Sequence, residues 1–173
     1  MVSSSLFVLG GARSGKSRFA ISGASPGARI AFIATAQASD DDMAARIARH
    51  QAERPSHWLT IEEPLALSDA LDALPPAIEG VIVDCLTLWV ANLMARGDAD
   101  EGVEKAAEAL AERVAHLRLP ITLVSNEVGQ GVHPPTADGL RFADLLGRVN
   151  QRMAAACGRV VLMVAGVPLA VKG

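Results

Sequence analysis

Three groups of residues in this chain have the types and spacing to do chemistry. The first is Gly10, Gly11, Ala12, Arg13, Ser14, Gly15, Lys16 and Ser17, which together satisfy GxxxxGK[ST]. They follow the apolar run LFVLG and precede a segment able to start a helix, the context this pattern needs. Glycines let successive backbone N–H groups turn inward onto phosphate oxygens. Lys16 then reaches the β and γ phosphates, and the Ser17 hydroxyl is placed to ligate Mg²⁺. A glycine turn with an exposed lysine is the plain alternative, and the strand, loop and helix context argues against it.

The second is Asp84, at the end of the apolar run GVIVD. An acidic residue at the end of a second strand is what a phosphate loop needs to hold its magnesium, directly or through water. An Asp there also suits capping of a helix beginning near Leu86, and the two roles are compatible.

The third is Arg46, His50 and Arg54, spaced i, i+4, i+8 in MAARIARHQAERP and therefore on one helical face. Like charge on both sides disfavours the protonated imidazole, leaving His50 neutral and nucleophilic, while the arginines attract a polyphosphate. Attack by such a histidine on an α-phosphorus forms a phosphoramidate and releases pyrophosphate. Asp42 with Arg46 and Arg49 with Glu53 are ordinary i,i+4 pairs, so spacing alone favours a solvated helix with a bystander histidine. His57 and His116 read as structural or exposed, and His133 as a loop residue.

Switches, motors and kinases share the phosphate loop, so the loop does not name the reaction. No NKxD element is present, and SNEV at 125–128 is not one, which weighs against a guanine-nucleotide switch.

The elements that must position these groups are short apolar runs: LFVLG, IAFIAT, GVIVD, ITLVSNE and VVLMVAG. Their near-continuous apolar character is that of strands covered on both faces, and helix-like segments lie between them. This predicts an α/β fold of the P-loop NTPase (RecA-like) type, a mainly parallel sheet with helices on both faces. Each run ends in something polar or glycine-rich, the edge along which open α/β sheets bind ligands.

Three helices are expected. One covers DDDMAARIARHQAER, capped by Ser39 or Asp40 and stopped by Pro55. The second covers DADEGVEKAAEALAERVAHL. The third covers ADGLRFADLLGRVNQRMAAACG, with Phe142, Leu145, Leu146, Val149 and Met153 as its apolar stripe and Gly158 ending it.

At 173 residues, half of them hydrophobic, the chain is expected to form one domain, 1–173, with a proper core. A net charge of −3 without a basic run gives no footprint for nucleic acid, so a small-molecule partner is expected. Cys85 and Cys157 have no metal or disulfide spacing and read as buried thiols of a reducing compartment. No basic residue precedes the first apolar run, and the longest apolar stretches fall short of a membrane span, so a soluble cytoplasmic protein is expected.

Together the segments GGARSGKSRFA, IATAQASDDDMAARIARHQAERPSHW, VDCLTLWVANLM, SNEVGQGVHP and GRVNQRMAAACGRVVLMVAGVPLAVK resemble the bifunctional adenosylcobinamide kinase/adenosylcobinamide-phosphate guanylyltransferases of cobalamin biosynthesis. The resemblance runs over nearly the whole chain, and its second and fourth segments are more specific than the phosphate loop. It implies phosphorylation of the adenosylcobinamide aminopropanol hydroxyl by ATP or GTP. It also implies GMP transfer from GTP, through an enzyme histidine that matches His50, to give adenosylcobinamide-GDP.

Similarity further implies that Thr35, Ala36, Gln37, Gln51, Ala52, Glu53, Arg54 and Glu62 contact the guanine nucleotide, and that Asp84 fills the place of an acidic residue. Glu62 has the acceptors for guanine N1 and N2 donors, although Glu63 is chemically equivalent. A homo-oligomer, as a trimer, is also implied. The chain departs from the family pattern RxFRDxxGxxNQ at Leu140 and Ala143, where arginines are usual.

Overall fold

The computed structural model describes residues 4–37, 51 and 54–173. Most of the expected helix at 40–54, with Arg46, Arg49, His50, Ala52 and Glu53, lies outside the described residues.

The strands are β1 (Ser5–Gly10), β2 (Ile30–Ala34), β3 (Leu59–Glu62), β4 (Gly80–Asp84), β5 (Ile121–Val124), β6 (Arg159–Val164) and β7 (Val167–Lys172). The described helices are α1 (Lys16–Ser22), α2 (Leu67–Asp72), α3 (Leu86–Arg96), α4 (Asp100–His116) and α5 (Ala137–Ala156). Among the described residues the strands form one sheet in the order β3-β2-β4-β5-β1-β6-β7. All neighbours are parallel except β6 and β7.

Strand alternation divides the core between two faces. Phe7, Ile33, Val81, Val83 and Leu123 pack with Trp89, Leu93, Leu110, Leu145 and Leu146 from α3, α4 and α5. On the opposite face Phe32, Ile82 and Val124 pack with Ala20 of α1, and Val8, Val161 and Met163 with Phe19. Both faces of the central strands are therefore dry, which is why their sequences are apolar without interruption. Trp89 is 1% exposed, and its indole N–H donates to Leu65 O at 2.7 Å, so the largest buried side chain is also satisfied in hydrogen bonding.

Two expectations at element ends are corrected. Cys157, in an extended conformation, caps α5, and the Gly158 N–H donates to Ser5 Oγ, so Gly158 is not the helix stop. The N-cap of α3 is Cys85, one residue beyond Asp84, which leaves Asp84 as the last residue of β4 rather than the cap.

Neither β3 nor β7 is a strand in the sequence reading. Both lie at sheet edges, β7 is exposed along its whole length, and β3 is exposed except at Ile61, so neither carries the two-sided apolar signature. The β6–β7 turn places Ala165 and Gly166 at φ 49° and 84°, the positive-φ pair of a tight hairpin. Its Gly166 N–H donates to Ser14 O at 3.0 Å, bracing the phosphate loop.

Candidate active site

The glycine-rich loop leaves β1 at Gly10, whose φ of 153° and surroundings both require glycine. A Cβ there would lie 2.6 Å from Ser14 Oγ and 2.7 Å from Met163 O. Arg13 and Gly15 also have positive φ, 56° and 94°, which curls the chain before α1 starts at Lys16. Gly11, Ala12 and Arg13 are exposed, and Ser17 is half-buried.

Lys16 is buried. Its Nζ donates to Gly10 O at 2.9 Å, to Gly11 O at 2.6 Å and to Ser14 Oγ at 3.5 Å, which centres the ammonium in the loop. Burial lowers its pKa, while Cys85 and Asp84 pull it back up. Burial also pushes the Cys85 thiol to about 11, so at neutral pH it is uncharged and Asp84 is the effective counter-charge.

Asp84 and Val8 both pair with Val124, so the acidic residue and the phosphate-loop strand flank β5. Two strand spacings, about 10 Å, separate them. The β4 end is joined to β2 by Thr35, which is fully buried: its N–H donates to Asp84 O at 3.1 Å, and its hydroxyl donates to Cys85 O and accepts from Cys85 N–H. Asn92 of α3 donates to Thr35 O at 2.8 Å and Pro64 O at 3.1 Å, holding the same corner. Thr35 thus positions Asp84, while Ala36 and Gln37 continue toward solvent.

Beyond this corner lies a second set of polar groups. Arg54 stacks its guanidinium 3.7 Å from the centroid of Phe32, which is itself stacked with Trp58, and donates to Thr60 Oγ1 at 3.4 Å. Burial lowers the Arg54 pKa, with Asp84 and then Glu62 opposing, so this cation lies in the field of both strand-end carboxylates. Gln51 Nε2 donates to Glu62 Oε1 at 3.5 Å. Glu63 Oε1 accepts the N–H groups of Leu65 and Ala66 at 2.8 and 2.7 Å, so Glu63 serves its own turn while Glu62 is exposed. The geometry separates two glutamates that chemistry alone left equivalent.

Residues 6–171 match the family model described as cobinamide kinase / cobinamide phosphate guanyltransferase (CobU). The chain belongs to this family. The bifunctional adenosylcobalamin biosynthesis protein CobP of Pseudomonas aeruginosa is 47% identical over 167 residues, covering 96% of both chains. The bifunctional adenosylcobalamin biosynthesis protein CobU of Escherichia coli (strain K12) is 39% identical over 179 residues, covering 96% of this chain and 99% of that one. Among solved structures, a prototypical ATPase from the type III secretion system of pathogenic bacteria superposes with a TM-score of 0.56 at 12% identity over 94% of this chain. This chain spans 51% of that ATPase, and the likeness shows the fold alone.

In this CobU-family chain the two departures from the arginine pattern fall together. Leu140 and Ala143 line a depression of about 170 Å³ with Val128, Gly129, His133 and Pro134. Arg141, between them, pairs with Asp100 at 2.6 Å and donates to Asp98 O, so it ties α5 to the start of α4. Asn150 of the same motif is buried, and its Nδ2 donates to Asn126 O at 3.0 Å. Asn150, Asn92 and Thr87 were not singled out from the sequence. The available signal was a polar residue on an apolar helix face, with Asn150 falling i+4 from Leu146.

Proposed function

We propose that this chain runs both half-reactions for which its family is described. It phosphorylates the aminopropanol hydroxyl of adenosylcobinamide with ATP or GTP, then passes GMP from GTP to the new phosphate through His50. The observation that carries this reading is the family match over residues 6–171, joined to a phosphate loop with a buried lysine at its centre.

In the kinase step, Lys16 exchanges its carbonyl partners for β and γ phosphate oxygens, and the N–H groups of residues 10–17 surround the transferring phosphoryl. Positioning and charge neutralisation are most of what a loose phosphoryl-transfer transition state needs. Among the described residues no three His, Cys, Asp or Glu side chains gather as a metal centre. Ser17 and Asp84 supply two hard oxygen donors, a set that suits Mg²⁺ completed by phosphate and water. When bound, such an ion neutralises charge across the β and γ phosphates.

In the transferase step, the neutral His50 imidazole attacks the α-phosphorus of GTP. A P–N bond forms, the bond to the α,β-bridging oxygen breaks, and pyrophosphate leaves. A phosphate oxygen of adenosylcobinamide phosphate then attacks the same phosphorus, the P–N bond breaks, and adenosylcobinamide-GDP is released. Glu62 accepts from guanine N1–H and N2–H, and Ala36, Gln37, Gln51, Ala52, Glu53 and Arg54 complete the nucleotide surroundings. Thr35 acts from behind, by fixing Asp84.

The enzyme acts in the cytoplasm as a homo-oligomer. The free thiols Cys85 and Cys157 support a reducing compartment, and the exposed Val164, Val167, Leu169 and Val171 on β6 and β7 supply an apolar face for a second copy. Incubation with adenosylcobinamide, Mg²⁺ and GTP, followed by mass spectrometry of the corrinoid, tests the two activities together. Successive adenosylcobinamide phosphate and adenosylcobinamide-GDP is the expected result; adenosylcobinamide phosphate as the end product removes the transferase, and adenosylcobinamide left unreacted with GTP and with ATP removes the kinase.

A further inference from the structure

The segment that follows β5 holds a carboxylate with no task in the mechanism above. Ser125 N–H donates to Val8 O at 3.0 Å, and Asn126 N–H donates to Thr87 Oγ1 at 2.7 Å. Asn126 O accepts from Asn150 Nδ2, and Glu127 N–H donates to Gly10 O at 3.1 Å. Four backbone groups in three residues are thus fixed by β1, α3, α5 and the phosphate loop. That density of support is what holds a reacting group in place.

Gly10 O also accepts from Lys16 Nζ, at 2.9 Å. Glu127 N–H and the Lys16 ammonium therefore meet on one oxygen, with Glu127 three residues beyond the end of β5, the strand directly beside β1, and Asp84 at the end of β4, one strand further away. The Glu127 side chain is half-buried, and its Oε1 accepts Gly129 N–H at 3.1 Å. Val128 and Gly129 then form one wall of the depression shared with Leu140 and Ala143. Glu127 is thus tied through its backbone to the phosphate loop and through its carboxylate to the turn that walls this depression.

We propose that Glu127 is the general base of the phosphoryl-transfer half-reaction, an inference that rests on the kinase reading above. The acceptor hydroxyl oxygen bonds to the γ-phosphorus, and its proton passes to the Glu127 carboxylate. The bond from the γ-phosphorus to the β,γ-bridging oxygen breaks, and its electron pair leaves with the nucleoside diphosphate. Guanylylation of a neutral imidazole has no hydroxyl proton to remove, so Glu127 has no part in that step.

The two half-reactions give the test its internal control. Glu127→Gln keeps the shape and an acceptor for Gly129 N–H but loses the base. Single-turnover phosphorylation of adenosylcobinamide from γ-labelled ATP is expected to slow by about 10²- to 10⁴-fold, with KM for adenosylcobinamide held within about threefold. Formation of the enzyme adduct from α-labelled GTP is expected to stay within about twofold of the unsubstituted protein. In Glu127→Ala, added formate is expected to restore part of the phosphorylation. A Gln variant that phosphorylates at the original rate, one that loses both half-reactions in parallel, or an Ala variant indifferent to formate overturns the assignment. If the unsubstituted protein fails to phosphorylate adenosylcobinamide, the kinase reading itself is wrong.

Discussion

Thr35 and Cys85 exchange two hydrogen bonds through a single hydroxyl: Thr35 Oγ1 donates to Cys85 O at 2.7 Å and accepts from Cys85 N–H at 2.8 Å. Both residues stand at the C-terminal ends of neighbouring strands, one past Ala34 and one past Asp84. The contact fixes the direction in which the chain leaves β4, and with it the place of Asp84. Thr35→Val leaves the Cys85 N–H without its partner, while Cys85 O keeps the Trp89 N–H, and is expected to lower stability by about 1–3 kcal/mol. Urea unfolding measures that loss, and phosphorylation assayed on the folded variant is expected to fall because the turn that follows Asp84 is loosened. Unchanged stability would mean that water or a shifted backbone replaces the hydroxyl.

Lys16→Met removes the charge that the loop carbonyls hold at its centre. Phosphorylation is expected to fall by about 10²- to 10³-fold, the effect of deleting one well-aimed donor to a transition state. Stability should change little, since burial already disfavours the ammonium. Steady-state kinetics with a thermal melt on the same sample separates the two effects.

Glu62→Gln and Glu63→Gln are predicted to differ, although the residues are adjacent. The first loses the charge and one of the two acceptor oxygens offered to guanine, and should weaken GTP by about 10- to 100-fold relative to ATP, the worth of a hydrogen bond to a charged group. The second should leave nucleotide preference in place and loosen the turn that it holds through Leu65 and Ala66. Competition binding with the two nucleotides reads the first, and chemical denaturation the second.

Stability is expected to fall on the alkaline side through Cys157. Burial raises this thiol from 9.0 to about 11, opposed by Ser5 and Lys172. The unfolded chain therefore releases the proton at a pH where the folded protein still holds it. The sign follows: stability is unaffected below pH 9 and declines between 9 and 11, by up to about 3 kcal/mol for a shift of this size. Urea midpoints measured across that range should drop in the unsubstituted protein and drop less in Cys157→Ala. Equal slopes in both would show that the thiol titrates normally.

The sheet was legible because its central strands are buried on both faces, and Phe7, Ile33 and Val83 sit in runs that no other environment explains. The phosphate loop was legible because glycine is demanded at Gly10 by φ and by space alike. What escaped was polar and tertiary. Thr35 reads as a nucleotide contact in a motif, yet only the fold shows its hydroxyl turned onto Cys85. Glu127 is one acidic residue among many until the fold joins its N–H and the Lys16 ammonium on Gly10 O. β3 and β7 escaped because edge strands lack the burial that leaves a pattern in sequence.

The central claim is that GMP passes through a covalent histidine adduct. The direct measurement is incubation with Mg²⁺ and GTP labelled on the α-phosphate, with γ-labelled GTP in parallel, followed by peptide mass spectrometry of the acid-labile product. Label retained from the α-phosphate alone, carried by His50 and absent from His50→Ala, is the predicted result. Absence of any adduct while GTP demonstrably binds, or an adduct that survives in His50→Ala, would contradict the account.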